Sequence, residues 1–290
     1  MTEPSVSADS HDVDRRARDF VKVAVMAGVV VVLVYLLAVQ TSWGQTWDDS
    51  AVIERVKAGK KQIGRAKEVL ETIRLPLLIA ALALVVIIGV WRKRLRAGIA
   101  AVTVFAGTVL LAELLKILLP RPVLSGLESQ VKFDGLNTFP SGTTTVATSL
   151  VLAIMLVCSA RVRPWIAIVG VVWAATVAWG VLAAGWHRPS DAIGAVVLTT
   201  ACFAGAMAWL LPRYWHSVAP STLSKSVLPV SFLLLGVIAV AARAINWWVP
   251  RGGDWQLDSA AYVSASILIL VSSCISILGF AWMMRSVDLR

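Results

Sequence analysis

The chain has 290 residues, 58% of them hydrophobic and 15% charged, with a mean hydropathy of +0.78, a balance that excludes an ordinary soluble domain. Its net charge of +10 comes from short Lys and Arg clusters at the ends of apolar stretches, a pattern of membrane orientation and headgroup contact rather than nucleic-acid binding. Cys158, Cys202 and Cys274 all fall inside apolar stretches, which indicates neither a disulfide framework nor a zinc site.

A helix needs about 20 mostly apolar residues to cross a bilayer. After a polar tail over 1–19, a first span is predicted over 20–40. Nothing following it resembles a cleavage site, so it reads as a retained anchor. Residues 41–74 form the next segment. Within it Ile53, Val56, Ile63, Ala66, Leu70 and Ile73 recur at helical spacing, and Glu54, Glu68 and Glu71 share the other face with seven cations. The pattern predicts one amphipathic helix over 50–74 without chemistry of its own, either lying on the outer membrane surface, standing as a solvated helical arm between two spans, or offering a contact surface to a partner protein. Spans follow over 75–91, 97–119, 142–160, 164–184, 191–211, 227–246 and 260–283. The turn residues Pro120, Pro122, Gly126, Gly135 and Asn137 mark a loop over 120–139. Pro140 suits the first turn of the fourth span, and Pro189 and Ser190 mark the start of the sixth. A connection over 212–226 precedes two additional C-terminal spans within 227–290.

The expected architecture is therefore an all-α integral membrane protein of about eight transmembrane helices. Arg15, Arg16 and Arg18, then Arg92, Lys93, Arg94 and Arg96, then Arg161 and Arg163 fall on one side under that count. Taking this side as cytoplasmic puts both termini inside and the basic 41–74 segment outside. The Ala- and Val-rich spans suit a bacterial plasma membrane.

Two polar clusters open spans on one membrane face, since two crossings separate the loop before 142 from the segment 185–191. His187 and Asp191 are four apart, and a helix beginning near 189 brings the carboxylate toward the imidazole. Such a pair orients a nucleophilic histidine; the same residues also serve as a plain helix cap. Ser141, Gly142 and Thr143 open the fourth span, where free N–H groups favour an anion and Gly142 lets it approach the backbone. Lys116 and Arg121 stand at the same face, and Glu113 is placed to pair with Lys116.

In order and spacing these residues resemble the phosphatidic acid phosphatase type 2 family of membrane lipid phosphatases with a six-span core. That family carries a Lys, six residues, then Arg-Pro; a Pro-Ser-Gly-His; and a Ser-Arg, five residues, a His and, four later, an Asp. Pro140-Ser141-Gly142, His187 and Asp191 match, as does Pro189-Ser190 before the Asp. The resemblance covers about 75–211 and implies a phosphatase-like core made by the first six spans. It further implies His187 as the nucleophile that becomes a phosphohistidine, and Asp191 as its orienting partner. Lys116, Arg121, Ser141, Gly142, Thr143 and Arg188 would hold the phosphoryl oxygens, with no metal and no cofactor.

The chain departs from the pattern three times. Counting from Lys116, the family's Arg falls at Val123, so Arg121-Pro122 arrives two residues early. Val181 stands where the third motif has its Arg, with Arg188 as the available substitute. Thr143 replaces the second His, the general acid, and the remaining histidines, His11 and His216, lie elsewhere. Loss of a general acid costs about 10²–10⁴ in rate, less where the leaving group is itself a phosphate. The expected activity is a lipid phosphatase or phosphotransferase acting on a lipid phosphate or diphosphate, such as a polyprenyl diphosphate, at the outer leaflet. The alternative is a degenerate relative that binds a lipid phosphate or a membrane-protein partner as a subunit of an envelope assembly.

Overall fold

The computed structural model describes residues 6–55, 60–131, 133, 136–217 and 255–289. Nine α-helices stand among them: α1 (Val6–Val34), α2 (Ser42–Glu54), α3 (Lys60–Leu70), α4 (Leu75–Trp91), α5 (Leu95–Leu118), α6 (Gly142–Val157), α7 (Arg163–Ala183), α8 (Pro189–Tyr214) and α9 (Trp255–Met283). A π-helical turn, Tyr35–Val39, extends α1. A short antiparallel ladder joins β1 (Trp215–Ser217) to β2 (Val287–Leu289), with His216 opposite Asp288. The protein is nearly all helical and spans a membrane several times.

Five helices are long and apolar enough to cross a membrane: Asp12–Val39, Leu95–Leu118, Arg163–Ala183, Pro189–Tyr214 and Ala261–Met283. A sixth span arises if Ile63–Leu70 and Leu75–Trp91, bent by 52°, count as one. The apolar α6 has 16 residues, about 24 Å at 1.5 Å per residue, short of a hydrocarbon core of about 30 Å. The span expected over 227–246 lies outside the described residues, so the count of eight is not carried forward. Helix α1 reaches back to Val6, through most of the stretch expected as a polar tail.

Local chemistry sets the boundaries. Thr41 caps α2 by accepting from the Gly44 N–H at 3.0 Å, and Ser141 caps α6 by accepting from the Thr144 N–H at 3.3 Å. Pro140, expected inside the first turn of α6, instead precedes it and is joined to Phe139 by a cis peptide bond. Prolines open α4 and α7 in their first turns. Gly185 ends α7 with φ of +73°, while the N–H groups of Trp186 and His187 turn back to the Val181 carbonyl.

Because lipid offers no hydrophobic drive between helices, close packing of small residues does the work. Ala147, Ala153, Ala167, Ala174, Ala178, Ala192 and Ala195 are buried where α6, α7 and α8 meet, and a Val151 methyl fills the space beside Gly170. Helix α8 is central, touching α1, α2, α5, α6, α7 and α9. Leu110, Leu114, Ile117 and Leu118 of α5 remain exposed, as a lipid-facing flank requires.

Helices α5 to α8 alternate in direction, so two ends are defined. At one, the ladder end, the starts of α5 and α7 meet the ends of α6 and α9 and β2. At the other, the α2 end, the ends of α5 and α7 meet the starts of α6 and α8 beneath α2. Two expectations change here. Over 50–74, α2 ends at Glu54 and α3 begins at Lys60, and Ala51, Val52, Glu54, Ala66 and Leu70 are buried against the rest of the fold. Arg94 and Arg163, grouped above with headgroup-contacting cations, are buried inside the fold.

Candidate active site

The α2 end brings the two polar clusters together. The Ser141 N–H donates to the Asp191 carbonyl at 2.9 Å, which ties the start of α6 to the first turn of α8. The preceding loop is anchored by Phe139, which is buried against Gly194 of α8, where no side chain obstructs the ring. Asn137 fastens the same loop to α5, donating to the Leu119 carbonyl at 2.8 Å and accepting from the Phe139 N–H at 3.0 Å.

His187 Nδ1 lies 3.3 Å from Asp191 Oδ2. That oxygen also accepts from the Thr138 hydroxyl at 2.5 Å and the Arg188 N–H at 3.0 Å. Three donors on one carboxylate oxygen fix its position and hold Nδ1 as the protonated nitrogen, leaving Nε2 with its lone pair. Asp191 is fully buried, and the His187 side chain is 13% exposed, so the imidazole belongs to the protein interior rather than to lipid.

Lys116 reaches the start of α6. Its Nζ lies 3.2 Å from where a side chain at Gly142 would begin and 2.7 Å from Glu113 Oε1, the pairing expected from their spacing. Gly142 is therefore needed for close approach: a methyl there would stand 2.5 Å from the Glu113 oxygen. Gly142 and Thr143 are half-buried, with the free amides of the first turn beside a cation.

Arg121 and Arg188 are both buried, and each meets a carboxylate of α2. Arg121 Nη2 lies 3.4 Å from Asp48 Oδ2, and Arg188 Nε donates to Asp49 Oδ1 at 2.6 Å. The Ser190 N–H donates to Asp48 Oδ1 at 3.0 Å and its hydroxyl donates to Asp48 Oδ2, while the Ser125 hydroxyl donates to Asp49 Oδ2 at 2.6 Å. The Arg188 guanidinium also stacks over Phe133 at 4.2 Å. Burial pushes the Asp48 carboxyl up to about 7, against the pull of Arg121 and helped by nearby Asp191.

All eight residues singled out in the sequence, Lys116, Arg121, Ser141, Gly142, Thr143, His187, Arg188 and Asp191, stand at this end of the bundle. Val181 is wholly buried in the core, so no cation replaces the missing motif arginine at that position. His216 sits in β1, at the far end of α8 from His187. Sequence reading missed Asp48, Asp49 and Thr138. A signal for the first two was present: adjacent acids between Trp47 and the apolar run Ala51-Val52-Ile53 face inward, and a buried carboxylate demands a cation.

Fold and site together define a multi-span helical membrane protein whose histidine–aspartate pair adjoins a cation-flanked helix start. The family model of the PAP2 superfamily matches residues 97–215, from the first turn of α5 to the start of β1. Over those residues, which are less than half of the chain, it is similar to that superfamily, whose members generally hydrolyse phosphate esters. No curated protein and no solved structure matches the chain. Helix α2, with Asp48 and Asp49, lies outside the matched segment.

Proposed function

We propose that this protein is a metal-independent lipid phosphatase or phosphotransferase that takes its phosphoryl group from a lipid diphosphate onto His187, at the outer leaflet. The observation that carries the reading is the shared oxygen of Asp191, bound at once by His187, Thr138 and the Arg188 N–H, beside the start of α6.

In this mechanism His187 Nε2 attacks the terminal phosphorus in line with the departing oxygen. Nδ1–H keeps its bond to Asp191, which stabilises the imidazolium and then the phosphohistidine. Lys116, the Ser141 hydroxyl, the amides of Gly142 and Thr143, and the Arg121 and Arg188 guanidiniums take the charge that spreads over the equatorial oxygens. Water or an acceptor hydroxyl then attacks the phosphohistidine and regenerates the imidazole. Thr143 cannot protonate a leaving alkoxide at neutral pH. A diphosphate expels a phosphate oxygen that needs no proton, which is why the diphosphate is the preferred class. The cations of α1 and those at the starts of α5 and α7 support a ladder end on the cytoplasmic side, with both termini inside.

The test is phosphate release from a polyprenyl diphosphate by the purified protein against His187→Ala. Loss of at least about 10³-fold is expected, with unchanged thermal stability. Equal rates for the two proteins overturn the reading, and equal turnover of mono- and diphosphate lipids overturns the substrate preference. The second reading, a lipid-phosphate-binding protein without turnover, draws on Thr143 and on the carboxylate that each site cation already faces.

A further inference from the structure

The site poses a problem of charge. Lys116 is paired with Glu113, Arg121 with Asp48 and Arg188 with Asp49, so each of these three cations already faces a carboxylate when a phosphate arrives. Both arginines also stand off the positions that the family pattern assigns. Their placement must come from something other than that pattern, and α2 supplies it.

Each guanidinium is held by one part and left open at another. Arg188 commits Nε to Asp49, and Arg121 commits Nη2 to Asp48. The Nη1 group of each is buried and has no hydrogen-bond partner among the described residues, and the same is true of Asp191 Oδ1. Both arginine side chains are only 3% exposed, so water does not freely satisfy them. An unpaired buried N–H is costly, and two such groups, held by one Asp-Asp dipeptide at the end of the bundle that also carries His187 and the start of α6, form a site built for an anion. The carboxylates are themselves fixed, Asp48 by Ser190 and Asp49 by Ser125.

We infer that Asp48 and Asp49 are positioning residues of the phosphate site: α2 reaches in from outside the family core and sets Arg188 and Arg121 so that Nη1 of each meets a phosphoryl oxygen. This inference rests on the proposed function for its substrate class but not for its test. A guanidinium oriented in advance loses less freedom on binding than a loose one.

The experiment measures binding and turnover separately on the full-length protein in detergent. The dissociation constant of inorganic phosphate is taken calorimetrically for the wild type, Asp49→Asn, Arg188→Gln and the double variant. Asp49→Asn should weaken phosphate about tenfold, the size of one charge-assisted hydrogen bond (about 1.4 kcal/mol). The same substitution made in Arg188→Gln should cost nothing further, because Asp49 acts through Arg188. In turnover, Asp49→Asn should raise KM more than it lowers kcat. Tighter phosphate binding by Asp49→Asn would mean that the carboxylate competes with the ligand, and it overturns the inference. Equal additional losses in both backgrounds, or unchanged affinity, overturn it as well. If Asp49→Asn does not fold, Asp48→Asn with Arg121→Gln gives the same cycle through the second pair. Absence of turnover in the wild type defeats the proposed function alone, provided that the binding cycle still shows coupling; absence of phosphate binding in the wild type defeats the inference.

Discussion

Two buried arginine clusters sit at opposite ends of the bundle, and they are built on different plans. At the ladder end Arg163 donates through Nε to the Met155 carbonyl at 2.7 Å, through Nη1 to Met284 and Val287 at 2.7 and 2.6 Å, and through Nη2 to Cys158 at 3.0 Å. Arg94 beside it reaches the Cys158 carbonyl at 3.2 Å and pairs with Asp288 of β2. These guanidiniums collect the orphan carbonyls where α6 and α9 end, so their role is to close the fold. At the α2 end Arg121 and Arg188 bind side-chain carboxylates, and among the described residues Nη1 of each has no protein partner. Arg163, bonded on each of its nitrogens, is a structural rivet, whereas a guanidinium oriented on a single edge is prepared for a ligand.

Substitutions that separate stability from chemistry sharpen this contrast. The largest effect expected beyond His187 is at Arg163. Arg163→Leu removes four hydrogen bonds to backbone carbonyls, leaving that of Met155 without its side-chain donor, and should lower unfolding free energy by about 3–5 kcal/mol, read as a lowered denaturation midpoint in detergent. Turnover per folded molecule should stay within about twofold, and a selective loss of kcat would dissolve the distinction between the ends.

Next comes Thr143→His. It returns a titratable donor to the first turn of α6, beside Lys116. Hydrolysis of a lipid monophosphate should rise by about 10²-fold, the low end for general acid catalysis, with little change for a diphosphate. A uniform rise for both substrates would indicate that Thr143 limits something other than leaving-group protonation.

The smallest effect is a pH dependence at Asp48, which faces Arg121, Ser190 and Asp191. Its folded value of about 7 lies above the ordinary 3.8. Between those values the native protein holds a proton that the unfolded chain has released. The stabilisation is complete below about 3.8 and lost as pH rises through about 7. Asp48→Asn removes this component. Its midpoint should therefore gain on the wild type as pH is raised from 5 to 8. A difference that does not change with pH would show that Asp48 is already ionised throughout.

The division between local and distant contacts explains what could be read in advance. Helix α4 covers the expected 75–91, and α5, α7 and α8 fall within a few residues of expectation, because length and apolarity suffice to define a span. His187 and Asp191 are legible as a pair since four residues on a helix start put two side chains together whatever surrounds them. Glu113 and Lys116 are legible for the same reason, three residues apart. The end of α2 at Glu54 was not, because the apolar spacing continues past it in phase.

Sequence by itself determined the membrane-spanning helical architecture, the serine-capped start of α6 and the histidine–aspartate spacing, all of which follow from interactions within one or two helical turns. Tertiary structure alone decided that Asp48 meets Arg121 across 73 residues and Asp49 meets Arg188 across 139. Charge pairing has no periodicity to betray it: any buried carboxylate needs a cation, but which one it receives depends on how α2 is folded back over the ends of α5 and α7 and the start of α8.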